Sequence, residues 1–200
     1  MTDLLQGRHY LLYAVLVLLV SGCAATVPRP ELTDDRADRM VFLVDHGRHS
    51  SLVLSRSDDS LVRYAYGEWA WYAEGRSGFW RAFPTLFTPT RSTLGRREWT
   101  GTASEAAIRQ QIRVEIRAIH SFLAWGHRVD ALDRRLRLHF ERSSDQALYH
   151  ERFDLEFVPS VRPYTLLHNS NHVVAEWLGE LGIVVRGNPV FGRWRVEPGP

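Results

Sequence analysis

A single cysteine, Cys23, limits this chain more than any other feature: with no second thiol the fold can hold no intrachain disulfide, and packing and hydrogen bonds must carry it. Its position is equally informative. Arg8 and His9 form a short polar lead, an apolar run follows from Tyr10 to Val20, and Val20-Ser21-Gly22-Cys23 has the form of a lipobox. Read this way, residues 1–22 are a lipoprotein signal peptide and Cys23 becomes an amino terminus carrying acyl chains such as palmitate. A run of about 11 apolar residues falls short of the roughly 20 that a membrane-spanning helix needs. Ala24 stands where an Asp would retain an enteric lipoprotein in the inner membrane, so the expected destination is the outer membrane, facing the periplasm. A thiol consumed as an anchor is also lost to nucleophilic catalysis and to metal ligation.

Such a cleavage leaves 178 residues, a length that normally builds one domain around one core. With 44% hydrophobic residues, 24% charged residues and seven Trp, the composition is that of a globular chain. The 25 basic and 23 acidic residues nearly cancel, which argues against a nucleic-acid surface, and no Gly-rich phosphate loop points to a nucleotide. No cofactor is expected. Residues 23–38, which include Pro28 and Pro30, read as a lipidated tether, and residues 39–200 as a single α+β domain.

Met40 to Val44 is a continuous apolar run, typical of a strand buried on both faces. A polar turn, Asp45 to Ser50, leads into Ser51-Leu52-Val53-Leu54, and Leu61 to Tyr66 alternates like a third strand of a small antiparallel sheet. Residues 67–95 are rich in Gly, Trp and Phe without a clean period and read as a covering region of loops and short helical turns, either a core lid or one wall of a cleft. Thr102 and Glu105 have capping-box spacing, and Ile108, Ile112, Ile116 or Ile119, and Leu123 recur as a helical stripe that Gly126 would end. Leu136 to Phe140, Tyr149 and Phe153 to Val158 read as strands or an insertion. In the last helix Val173, Val174, Trp177, Leu178 and Leu181 form the buried stripe, with Gly182 as its stop.

Chemistry is suggested by a histidine at an early strand edge, His49, and a small polar residue at the start of that last helix, Ser170. Oriented amide groups at a helix start favour an anionic nucleophile or an oxyanion, and a neighbouring imidazole can accept the nucleophile's proton. Both residues have plainer readings, Ser170 as a helix cap and His49 as a satisfied polar group at a strand end. Glu68 is the candidate for orienting the imidazole, with Asp45 as the fallback. Trp69, Trp71, Tyr72 and Asn169 are the candidate substrate contacts. His168 and His172, four apart, would share a helix face and with His46 or His49 offer a zinc alternative, but no HExxH signature accompanies them and no metal is expected.

The segments VDHGRHSSLVL, YAYGEWAWY, TPTRSTLG and YTLLHNSNHVVAEWLGELGI, in this order over about residues 40–185, resemble a bacterial family of uncharacterised envelope proteins encoded near urease genes. That family is similar to the circularly permuted papain-like superfamily, which includes peptidoglycan amidases and peptidases and lecithin:retinol-type acyltransferases. The resemblance implies a permuted papain-like fold with the general base on an early strand, at His49, and the nucleophile at a late helix start, where Ser170 replaces the usual Cys. A serine hydroxyl is a far weaker nucleophile than a thiol and needs full general-base assistance. Two functions follow as expectations. One is a Ser-His amidase, peptidase or acyltransferase acting on peptidoglycan peptides or lipids of the envelope. The other is a catalytically inactive, lipid-anchored binding or assembly protein of the same fold.

Overall fold

The computed structural model describes residues 24–28, 37–75 and 88–197. Cys23, the signal peptide and residues 76–87 of the aromatic segment lie outside the described residues. The fold is α+β, dominated by a large antiparallel sheet with few helices.

Strand β2 (Ala37–Asp45), β3 (Ser50–Ser55) and β4 (Ser60–Glu68) form the expected meander, each pairing antiparallel with the next. The sheet is larger than expected. Seven strands run in the order β6-β2-β3-β4-β5-β8-β7, with β5 (Ser92–Thr100), β6 (Ala118–Trp125), β7 (Leu148–His150) and β8 (Leu155–Pro159) added around the meander. Every residue of β3 is buried, as a central strand covered on both faces must be.

Four α-helices accompany this sheet among the described residues: α1 (Trp69–Tyr72), α2 (Glu105–Gln111), α3 (Gly126–Arg142) and α4 (Ser170–Glu180). The main core lies on one face, where Val41, Leu43, Leu52, Leu54, Val62 and Tyr64 meet Val129, Leu132 and Leu136 of α3 and Val174, Trp177 and Leu178 of α4. On the opposite face Phe42, Val44, Val53 and Leu61 pack under Ile108, and Ala65 packs with Tyr72, Phe153 and Phe157. Two-residue alternation along β3 therefore sends the even-numbered side chains toward α4 and the odd-numbered ones away from it.

Several expectations fail here for identifiable reasons. The helix expected from Thr102 to Leu123 is only α2, capped by Ser104, whose hydroxyl accepts from the Ala107 amide at 3.2 Å. Of the later stripe residues Ile119 and Leu123 belong to β6, which pairs along the length of β2, while Ile112 is the C-cap of α2 and Ile116 lies in the connection between them, so an open strand edge overrides the helical spacing. Gly126 opens a helix instead of ending one. Leu136 to Phe140, read as a strand, lie in α3, whose buried Val129, Leu132, Leu136 and Phe140 follow helical spacing.

The tether expectation also needs correction. Ala25–Val27 is strand β1, pairing with β9 (Arg186–Gly187) and running parallel to β10 (Trp194–Val196) in a second, three-stranded sheet. Ala25 and Val27 are fully buried in the main core beside Trp194.

Candidate functional site

Helix α4 starts where Asn169, with extended backbone, turns its side chain back along the chain. Its Oδ1 accepts from the amides of Asn171 at 3.0 Å and His172 at 3.2 Å, so Asn169 and not Ser170 is the cap. Asn169 Nδ2 donates to the Val190 carbonyl at 2.9 Å, tying the helix start to the following loop. Ser170 occupies the first helical position, is buried, and forms no side-chain hydrogen bond among the described residues.

Asn171, fully buried, fastens the helix to the β2–β3 hairpin. Its Oδ1 accepts from Ser50 Oγ at 2.9 Å, and its Nδ2 donates to the carbonyls of Arg48 at 3.1 Å and Val190 at 3.4 Å. Ser50 Oγ in turn accepts from Trp194 Nε1 at 2.7 Å. The hairpin turn is held by Gly47, at φ 90°, whose amide donates to Asp45 Oδ1 at 2.6 Å. Asp45 is thus used in the turn, and burial pushes its carboxyl above the usual range against that amide and Arg117.

The imidazole of His49 is directed to the other face of the sheet. It stacks on His46 with ring centroids 5.0 Å apart and meets the edge of Tyr72 at 5.7 Å. His46 belongs to that face: Ser51 Oγ donates to its Nε2 at 3.0 Å, Arg63 Nη2 donates to the same nitrogen at 3.2 Å, and its Nδ1–H donates to the Glu115 carbonyl at 2.7 Å. This network assigns His46 as the neutral Nδ1–H tautomer. Burial, with help from Arg63, pushes His46 down to about 3 and His49 down to about 4. His49 Nε2 is buried without a partner among the described residues.

Ser50, next in sequence to His49, thus touches α4 while His49 itself turns away, and no hydrogen bond joins His49 to Ser170. Glu68 does not orient the imidazole either. Its carboxylate caps α1, accepting from the Trp71 amide at 2.7 Å. Trp69 and Tyr72, expected as ligand contacts, pack in the cluster around Phe153, with Trp69 Nε1 donating to Glu74 Oε1 at 3.0 Å. Trp71 is the exposed one of the three. Asn169 is spent on capping. No family model, curated protein or solved structure matches this chain.

Two grooves flank α4, and neither was read from the sequence. One, of about 490 Å³, has Leu167, His172, Ile183, Val184 and Pro189 in its walls. The other, of about 440 Å³, runs over Tyr66, His139, Val173 and Trp177. Arg162, His168 and Glu176 border both. The pair Arg162 Nη1 to Glu176 Oε2, at 2.7 Å, is the partition between them. His168 Nδ1 lies 3.7 Å from Glu176 Oε1, yet burial lowers the affinity of His168 for a proton more than that carboxylate raises it. Each groove has the size of a small-molecule site; the first has apolar walls with charge at one border, and the second is more highly charged, with Arg135, Arg142 and Glu180 also among its lining residues. His168 and His172 are on this side of the sheet and His46 and His49 on the other, so the four imidazoles do not converge as zinc ligands.

Proposed function

We propose that this chain is a lipid-anchored protein of the outer membrane, facing the periplasm, that binds a peptide or lipid component of the envelope in the grooves beside α4 without turning it over. In this reading the fold is a circularly permuted papain-like one in which the catalytic pair has been replaced by a structural joint. Cys23 carries the acyl chains, and no cofactor or nucleic acid takes part.

The observation that supports this reading is the Ser50–Asn171 hydrogen bond at 2.9 Å. It brings the hairpin and the helix start together, as catalysis in such a fold would require, but through a buried serine and an amide. Neither group is a base at neutral pH. The two groups that would make a dyad are turned apart, Ser170 buried at the helix start and His49 stacked on His46 across the sheet. The apolar wall formed by Leu167, Ile183 and Val184, bordered by Arg162 and Glu176, suits an amphipathic ligand.

The test is a titration of the mature protein with muropeptides and with envelope phospholipids, read by tryptophan fluorescence because Trp177 lines a groove. Product analysis on the same samples completes it. Saturable binding with no product is expected. Amide or ester cleavage that disappears in Ser170→Ala would overturn the reading in favour of a Ser-His enzyme. Acylation of Cys23 is read separately from the mass of the amino-terminal peptide.

A further inference from the structure

We propose that the face built by β1, β9, β10 and the loop over residues 188–193 lies flat against an anionic phospholipid surface. The acyl anchor then holds the domain in one orientation and does not suspend it on a tether. This rests on the reading of Cys23 as the lipid attachment point.

Chain continuity is the first ground. Ala25 is two residues past Cys23, within about 7 Å of chain, and it is fixed: it is fully buried and its amide donates to the Arg193 carbonyl at 2.9 Å. An acyl chain on Cys23 therefore enters the bilayer beside Gly187 and Arg193, the neighbours of the first residues of β1.

Charge is the second ground. Thr26 pairs with Arg186 on one side and Arg195 on the other, so both guanidinium groups stand on the same outward face of the small sheet. Arg193 is exposed at the end of that sheet nearer the anchor, and Arg48 is exposed on the hairpin against which Gly192 packs. None of these four arginines has a carboxylate partner among the described residues. The acidic residue nearest in the chain, Glu197, follows the far end of β1, its amide bonded to the Val27 carbonyl.

Apolar exposure is the third. Phe191 is 45% exposed and Val184 is 55% exposed, on the loops that flank β9. Exposed arginines and exposed apolar side chains in one segment, residues 184–195, are the pattern of interfacial binding, apolar groups entering the headgroup boundary and cations meeting anionic headgroups. Val184, Gly187 and Pro189 also line the larger groove beside α4. Docked in this way, that groove opens at the membrane surface, which favours a lipid or lipid-linked ligand over a free peptide.

The test uses the full mature chain bound to vesicles of phosphatidylethanolamine with phosphatidylglycerol, and to vesicles of phosphatidylcholine alone. Hydroxyl-radical oxidation of Phe191 is measured by mass spectrometry, with Tyr149, 56% exposed on the edge strand β7, as the internal control. Expected is roughly a threefold or greater fall in Phe191 oxidation on the anionic vesicles, little change at Tyr149, and reversal in high salt. Replacing Arg186, Arg193 and Arg195 by Ser should abolish the protection. At about fivefold per arginine, the docked state weakens on the order of 100-fold. Equal oxidation of Phe191 on both kinds of vesicle overturns the proposal. The amino-terminal peptide from the same digest shows whether Cys23 is acylated, so failure of the anchor reads out separately. An unacylated chain still tests the face by its protection on anionic vesicles in excess.

Discussion

Asn171→Ala removes the joint between α4 and the hairpin, and its cost follows from the partners left behind. The amide makes a hydrogen bond with Ser50 Oγ at 2.9 Å and two with the carbonyls of Arg48 and Val190. The Val190 carbonyl keeps its bond from Asn169, so the groups stranded in the interior are the Ser50 hydroxyl proton and the Arg48 carbonyl. At about 1–1.5 kcal/mol for each buried group left unpaired, the loss is about 2–3 kcal/mol. For a chain of this size that is a fall in Tm of about 5–10 °C. Urea unfolding of Asn171→Ala, Ser50→Ala and the double variant is the assay. Because the two side chains bond each other, the double variant should lose about 1 kcal/mol less than the sum of the singles. A loss below about 0.5 kcal/mol in Asn171→Ala, or strict additivity, would refute the assignment of this pair as a structural joint.

The imidazoles on the other face predict a pH dependence. His46 and His49 hold proton affinities lowered to about 3 and about 4, so below about 6.5 the unfolded chain takes up protons that the folded chain refuses. Stability should be level above that pH and fall as the solution is acidified toward about 4, by up to about 1.4 kcal/mol per pH unit for each ring. Urea midpoints at pH 7 and pH 5 measure it, and His46→Gln with His49→Gln should flatten the slope; an unchanged slope would mean these rings are not the source. Gly192→Ala should destabilise by about 1–3 kcal/mol, since its φ is 66° and an added Cβ would stand 2.6 Å from the Gly47 carbonyl oxygen. A thermal melt checks this. Asp133→Asn should cost about 2 kcal/mol or more, because Asp133 takes both Nε and Nη2 of Arg56 at 3.0 Å and the Tyr64 hydroxyl at 2.8 Å. Chemical denaturation gives the value, and a loss within error would show the bridge to be solvated.

The meander and the last helix were legible because their signals are local. Met40 to Val44, Ser51 to Leu54 and Leu61 to Tyr66 are strand-length apolar runs, and α4 carries its stripe between Asn169 and Gly182. Its end is a Schellman turn, with the Gly182 amide on the Gly179 carbonyl and the Ile183 amide on that of Leu178. What failed depends on distant partners. β1 is three residues long and exists because β9 and β10, from the other end of the chain, close around it. β6 looks helical until β2 offers it an edge. In α3 the periodic signal was present in Val129, Leu132, Leu136 and Phe140, but Leu136 to Phe140 taken alone looks like a strand.

The site was half legible. The resemblance implied that the hairpin lies near the start of α4, but not which side chains face each other. β3 is buried on both faces, so its sequence carries no alternation to show that Ser50 goes toward the helix with Leu52 and Leu54 while His49 goes away with Ser51 and Val53. Arg63 could have been noticed, since a charged residue inside an otherwise apolar strand asks for buried partners. It finds Ser51, His46 and the Phe153 carbonyl. The grooves could not be read in advance, because Arg162, His168 and Glu176 meet only when α4 packs on the sheet.

The central claim, binding without turnover beside α4, is tested most directly by titrating four forms of the mature protein with envelope phospholipids and muropeptides: unaltered, Ala175→Phe, Ser170→Ala and His49→Ala. Ala175 lines the larger groove, and a ring there fills it. The account predicts saturable binding that Ala175→Phe weakens at least about tenfold, that Ser170→Ala and His49→Ala leave unchanged, and that yields no product in any form. Cleavage of either ligand that is lost in both Ser170→Ala and His49→Ala would contradict it.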